Sequence, residues 1–210
     1  MKHLIIIPFI LLNIFANAQD LEKKPPIPLE LMVGNEAYRF QFSINRPLFE
    51  GSRFGFFSQL AYKVNHEKTA PNSINTEAMI TYKLTNHFNI GAGTRLNTAS
   101  GFRTLLATSY GLFNKKISLF IQPSIEIHKD GFFELFSFFE WHPNNGKKIQ
   151  PFFRVQALTD FNKQHVYSYH NWRVGAKHKN FSIGPAINFE YIGPQGIVNT
   201  NYGGFIMLWL

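Results

Sequence analysis

Three features of the sequence predict an all-β chain, closed into an antiparallel up-and-down barrel of about twelve strands that crosses a membrane. From Gly34 onward apolar and polar residues alternate with period two, in segments near the roughly nine to eleven residues that a tilted strand needs to cross hydrocarbon. Short polar clusters separate the segments at hairpin spacing. The faces opposite the bulky residues carry glycine, alanine and charges of both signs, which is not the exterior of a soluble barrel.

The chain opens with the basic Met1-Lys2-His3, an apolar run from Leu4 to Leu12, and the small residues Ala16-Asn17-Ala18. This tripartite order predicts a signal peptide over 1–18, cleaved before Gln19, and therefore an exported protein. The run falls short of the roughly 20 apolar residues of a spanning helix, and no later stretch is longer. Residues 19–27 read as an extended segment because of Pro25-Pro26-Ile27-Pro28, and 28–210 as the barrel.

Within the barrel, 36–44, 53–65, 76–84, 88–98, 102–113 and 117–128 read as strands. The same pattern continues over 132–142, 149–161, 166–177, 181–192 and 201–210. An odd count conflicts with the even number of bacterial single-chain barrels. Pro28 to Val33, turning at Gly34-Asn35, supplies the twelfth; ten strands is the alternative if this region lies outside the wall. Thr85-Asn86-His87, Asn114-Lys115-Lys116, Asn144-Asn145-Gly146 and 177–180 are polar turns, and Asp130-Gly131 predicts a two-residue hairpin. Pro123 and Pro185 fall in mid-strand, where each removes a ladder hydrogen bond and predicts a bulge.

Composition narrows the function. The chain has no cysteine, so disulfides and thiolate metal sites are excluded. It has 23 phenylalanines, few charges and a slightly negative mean hydropathy, so apolar and polar residues must be interleaved. The +8 formal charge is scattered, with no basic run suited to nucleic acid. It can bias a pore toward anions, bind lipopolysaccharide phosphates, or simply form a solvated rim. Histidines 66, 87, 128, 142, 165, 170 and 178 show no metal-ligand spacing, and neither metal nor cofactor is expected.

Aromatic residues at the strand ends predict interfacial girdles. Tyr82, Phe113, Trp141 and Trp209 fall at one end, and Tyr62, Phe161 and Tyr191 at the other. A two-sheet sandwich is the competing fold, since periodicity does not determine closure. The Ala-Asn-Ala-Gln region, the alternating strands and the closing stretch Tyr202 to Leu210 resemble the small outer-membrane barrel proteins of Gram-negative bacteria. That resemblance implies outer-membrane lipid and lipopolysaccharide as surroundings and insertion by the barrel-assembly machinery. In that family the last strand carries the insertion signal and usually ends in an aromatic residue; here Leu210 follows Trp209.

With the bulky faces outward, the lumen is lined by Arg39, Gln41, Lys63, Glu77, Lys83, Arg95, Glu126, His128 and Glu134. Further along, Glu140, Arg154, Gln156, Asp160, Arg173, Lys177, Asn188 and Glu190 join them. Such a lining forms either a paired plug or a passage whose charges select solutes. Ser168 and His170 share a strand face. They resemble the serine and histidine, two apart, of outer-membrane phospholipases and lipid A deacylases, although the usual order is His-x-Ser. Three functions stay open: a narrow passive pore for small polar solutes, a lipid-modifying hydrolase using Ser168 and His170, and a structural or envelope-partner protein with a sealed lumen. The sequence does not identify a protein partner.

Overall fold

The computed structural model describes residues 26–67, 71–143 and 146–210. The expected signal peptide and residues 19–25 lie outside them. Twelve strands form, beginning with β1 (Pro28–Gly34), β2 (Ala37–Pro47), β3 (Phe54–Asn65) and β4 (Ser73–Lys83). Next come β5 (Phe88–Asn97), β6 (Gly101–Phe113), β7 (Ile117–Glu126) and β8 (Phe133–Trp141). The chain finishes with β9 (Gln150–Asn162), β10 (Gln164–His178), β11 (Phe181–Ile192) and β12 (Ile197–Trp209). Each strand pairs with its neighbours in sequence, and β1 pairs with β12, so the sheet is a closed antiparallel barrel rather than a sandwich. Closure satisfies the edge N–H and C=O groups that hydrocarbon would leave without partners.

The seam runs from Pro28 opposite Trp209 to Gly34 opposite Gly203. It continues one residue further, where Ile27 and Leu210 exchange backbone hydrogen bonds of 3.1 and 3.0 Å. The short segment left over by the strand count is thus the piece that closes the cylinder. Because the strand number is even, both ends of the barrel chain lie at one rim, called the terminus side below.

Register fixes which face meets what. Gln59, Glu77, Arg95 and Arg103 stand directly opposite one another across β3 to β6, and all point inward. Residues of the opposite parity along the strands point outward: Leu60, Ile80, Ile90, Leu106, Leu135, Ile183 and Ile206 lie on the outer wall. From β3 through β9 no outward strand position carries a charge. This is the lipid-facing band of a transmembrane barrel.

Three local expectations need correction. Pro123 and Pro185 produce no bulge: Pro123 stays opposite Leu135 and Pro185 opposite Gly204 in unbroken register. Each proline instead meets its ladder gap on the other side, where the pairs facing it in β6 and β10 are skipped without a register shift. The one shift within the sheet lies between His165 and Tyr167 on β10. Nor do Asp130 and Gly131 make a two-residue hairpin. β7 ends at Glu126, whose N–H donates to Phe132 O at 3.0 Å, and 127–132 form a longer turn.

Glycine has a specific use in the wall. Gly175 stands opposite Phe152, and Gly184 opposite Phe205, all facing inward. A Cβ on Gly184 would run into the carbonyl of Val174, and one on Gly175 into that of Ile183. The two bare strands let the rings of Phe152 and Phe205 meet over them, with centroids 5.8 Å apart.

The outer band makes a direct prediction. Leu106→Arg, near the middle of β6 on the lipid face, should destabilise the barrel by about 2–4 kcal/mol. Leu106→Phe should cost under about 1.5 kcal/mol. Urea titration of the protein folded into phospholipid vesicles, read by the gel shift between folded and heated forms, measures both.

Candidate functional site: the barrel interior

The interior is filled by side chains of the wall itself. One polar cluster forms around Arg95 on β5. The guanidinium donates to Glu77 Oε2 at 2.8 Å, Glu134 Oε1 at 2.6 Å and Ser124 Oγ at 3.2 Å. Glu126 approaches its other nitrogen at 3.5 Å. Gln122 donates to the second oxygen of Glu77 at 2.7 Å, and Asp160 stands opposite Glu134 in register. One cation thus holds three carboxylates together, with a fourth adjoining.

A second cluster ties the seam to the far wall. Arg173 on β10 donates through Nε and Nη2 to Glu30 Oε1 at 3.0 and 2.8 Å, and through Nη1 to Asn188 at 2.8 Å. Glu30 and Arg173 are each 1 % exposed. Nearer the distal rim, Lys63 donates to Glu190 at 2.7 Å, Tyr167 donates to the same carboxylate at 3.2 Å, and Arg39 lies 3.9 Å away. Gln41 donates to Gln156, which donates to the Tyr169 hydroxyl at 2.8 Å. Arg154 faces Glu140 at 3.5 Å and sits over the Phe138 ring.

Between these groups lies an apolar waist of Phe57, Met79, Leu105, Phe120, Phe136 and Leu158. Phe120 stacks on Phe57 at 5.5 Å and on Phe138 at 5.7 Å. These inward phenylalanines do not follow from assigning every bulky residue to lipid. Parity gave the signal: Phe136 and Phe138 alternate in step with Glu134 and Glu140, as Phe152 does with Arg154 and Gln156. Glu30 escaped notice because its strand was the uncertain one.

The structure places Arg39, Gln41, Glu77, Arg95, Glu126, Glu134 and Glu140 inward and buried, and likewise Arg154, Gln156, Asp160, Arg173, Asn188 and Glu190. Lys63 is half-buried beside Glu190. Lys83 and Lys177 lie at the terminus-side ends of their strands. His128 departs from the expectation: it sits exposed in the 127–132 turn, where its Nδ1 accepts from the Asp130 N–H, because β7 stops before it.

Among the girdle residues, Tyr62 and Trp141 are exposed on the outer wall, and Tyr82 packs there against Phe54. Tyr191 also faces out, beside His170. Trp209 does not. It points inward with Phe205 and Met207, packs edge-on against Phe152 at 5.3 Å, and lies under the Lys177 ammonium at 3.8 Å. Phe113 likewise packs against the waist. Residues 205–210 are apolar on both faces, so alternation gives no sign there.

Ser168 and His170 share the outer face but are not partnered. The register shift between His165 and Tyr167 turns His165 onto the same face as Ser168, three residues on. His165 Nε2 lies 2.8 Å from Ser168 Oγ, and Nδ1 lies 2.7 Å from Gly193 O. A carbonyl only accepts, so Nδ1 carries a proton toward Gly193 O, and Nε2 is turned to the serine hydroxyl. Ser168 also contacts Thr159 Oγ1 at 3.1 Å and is buried. The arrangement braces the shifted strand against the 193–196 turn.

No protein-family model matches the sequence, and no curated protein is similar to it. Solved structures share the architecture. The NanC porin superposes with a TM-score of 0.52 at 11% identity, over 89% of this chain and 99% of that one. The KdgM porin gives 0.47 at 16% identity, over 87% and 98%, and LpxR from Salmonella typhimurium 0.43 at 8%, over 88% and 100%. At these identities the likeness to NanC shows the fold: an outer-membrane-type barrel.

The Arg95 cluster yields a test of the interior. Arg95→Ala leaves three carboxylates facing one another and should destabilise the barrel by about 3–5 kcal/mol. Adding Glu134→Gln should recover part of the loss, because it removes one of the uncompensated charges. The urea midpoint in vesicles reads both, and an Arg95→Ala midpoint equal to wild type would refute the hub.

Proposed function

We propose that this chain is a bacterial outer-membrane barrel that gives small polar solutes a narrow passive path, limited by an apolar waist of packed side chains. The observation that carries the reading is the incomplete pairing of the buried interior. Among the described residues, neither amide atom of Asn171 has a protein hydrogen-bond partner, nor do Glu30 Oε2, Asp160 Oδ1, Gln41 Oε1 or the Nε atoms of Arg39, Arg95 and Arg154. A sealed plug stabilises itself by satisfying such groups, whereas an interior that admits water leaves them for water or a passing solute. Recesses open at both rims, the distal one about 350 Å³ and lined by Lys63, Glu190, Asn65 and Asn201 among others.

The fold match to a porin agrees with this reading, as does the even strand count, which puts the terminus side in the periplasm. In this setting the signal peptide is removed near Ala18, the assembly machinery inserts the barrel, and lipopolysaccharide surrounds its distal half. A structural barrel with a closed lumen is the second reading. It is favoured by the near-complete burial of the inward side chains at the waist, including Leu105 at 0 % and Phe120 at 2 % exposure.

Single-channel recording in a planar bilayer separates the two, with heat-denatured protein as control. A pore should give small discrete steps that grow in Phe120→Ala and Leu105→Ala, which widen the waist, and ion selectivity should shift in Arg39→Gln. Correctly folded wild type and waist variants that all stay silent would sink the pore and leave the sealed barrel.

A further inference from the structure

The two mouths of the barrel differ in charge. The distal recess mixes Lys63 with Glu36, Glu67 and Glu190. The terminus-side recess, also about 350 Å³, is lined by Lys115, Lys147, Lys148, Lys177 and Lys179, with His142, His178 and Gln150. No carboxylate lines it among the described residues. Below it, Glu140 faces Arg154 at 3.5 Å and His142 at 3.6 Å.

These lysines stand on an organised frame. His178 Nδ1 donates to Lys148 O at 2.7 Å and His142 Nδ1 to Lys115 O at 3.2 Å. Gln150 Nε2 donates to Lys147 O at 3.3 Å. Three side chains at or next to strand ends thus hold the backbone carbonyls of Lys115, Lys147 and Lys148. At the inner end, the Lys177 ammonium is held 3.8 Å from the centroid of the buried Trp209 ring, which forms a floor. Lys179 occupies a left-handed turn with φ of 54°.

We propose that this terminus-side recess is a binding site for phosphate groups. The choice of cation selects the anion. The arginines of the interior meet carboxylates, whose planar geometry suits the guanidinium fork, while no arginine lines the mouth. Lysine is a compact charge with three rotatable donors, and several converging from different directions match the tetrahedral, oxygen-rich surface of phosphate. The volume lies at the low end for small-ligand sites and accommodates two or three linked phosphates. The phosphates can belong to a soluble solute or to lipid headgroups of the adjacent leaflet. The site does not depend on whether the lumen conducts.

The test is calorimetric titration of the full folded chain in dodecyl maltoside micelles with sodium tripolyphosphate, at about 0.15 M salt. Saturable binding of one tripolyphosphate per chain is expected. Loss of two charge-assisted contacts in Lys148→Gln with Lys179→Asn should weaken it by roughly tenfold or more. Both positions are exposed, and asparagine tolerates the left-handed turn, so the fold is retained. Citrate, a carboxylate anion, should bind at least several-fold more weakly. Absence of saturable binding, binding unchanged in the double variant, or citrate binding as tightly would each overturn the proposal. Phosphatidylglycerol added to the micelles identifies the source. Competition with tripolyphosphate supports a headgroup site, and undisturbed binding supports a site for soluble phosphates.

Discussion

A sheet immersed in hydrocarbon cannot leave an edge, because each unpaired N–H or C=O there costs several kcal/mol. The pairing of β1 with β12 meets that demand here, and much else follows from it. Closure fixes the even strand number and sets both ends of the barrel chain at one rim. It gives each strand one face toward lipid and one toward a confined interior, so residue parity becomes equivalent to location. The seam is also secured from inside. Glu30 on the seven-residue β1 reaches Arg173 on β10, so the shortest strand is tied to the longest by a buried ion pair.

The interior resolves two opposing requirements. Twelve strands enclose more space than an eight-stranded barrel fills with ordinary side chains. The chain occupies it partly with phenylalanine rings and partly with charges. Each charge must find an opposite one, because burying it alone is prohibitive. Arg95, Arg173, Arg154 and Lys63 each do so within 4 Å. Glycines at 175 and 184 serve the same packing problem from the other direction, withdrawing side chains so that Phe152 and Phe205 can meet.

Period two and the spacing of polar breaks were enough to place the strands, because both are local properties of the chain. What local pattern could not supply was long-range geometry. Trp209 lies on the closing seam opposite Pro28 and faces inward with Phe205 and Met207, in a stretch apolar on both faces where alternation gives no sign. Ser168 meets His165 rather than His170 because a register shift, invisible in composition, moved one side chain across the sheet. His128 missed the lumen by two residues, the margin by which strand ends are uncertain. The Phe57–Phe120 stack unites residues whose strands are four apart.

The hub around Arg95 also bears on how such a lumen can change over generations. Side chains that share partners do not vary independently, and their energies fail to add. A lineage that replaces this arginine first meets a mutual repulsion of carboxylates, so substitutions of Glu77, Glu126 and Glu134 become permissible only in company with it. The outer wall has no such coupling, since one aliphatic residue against lipid serves as well as another. Among descendants of this chain, the lipid face is free to drift residue by residue, while the interior must move in concerted sets.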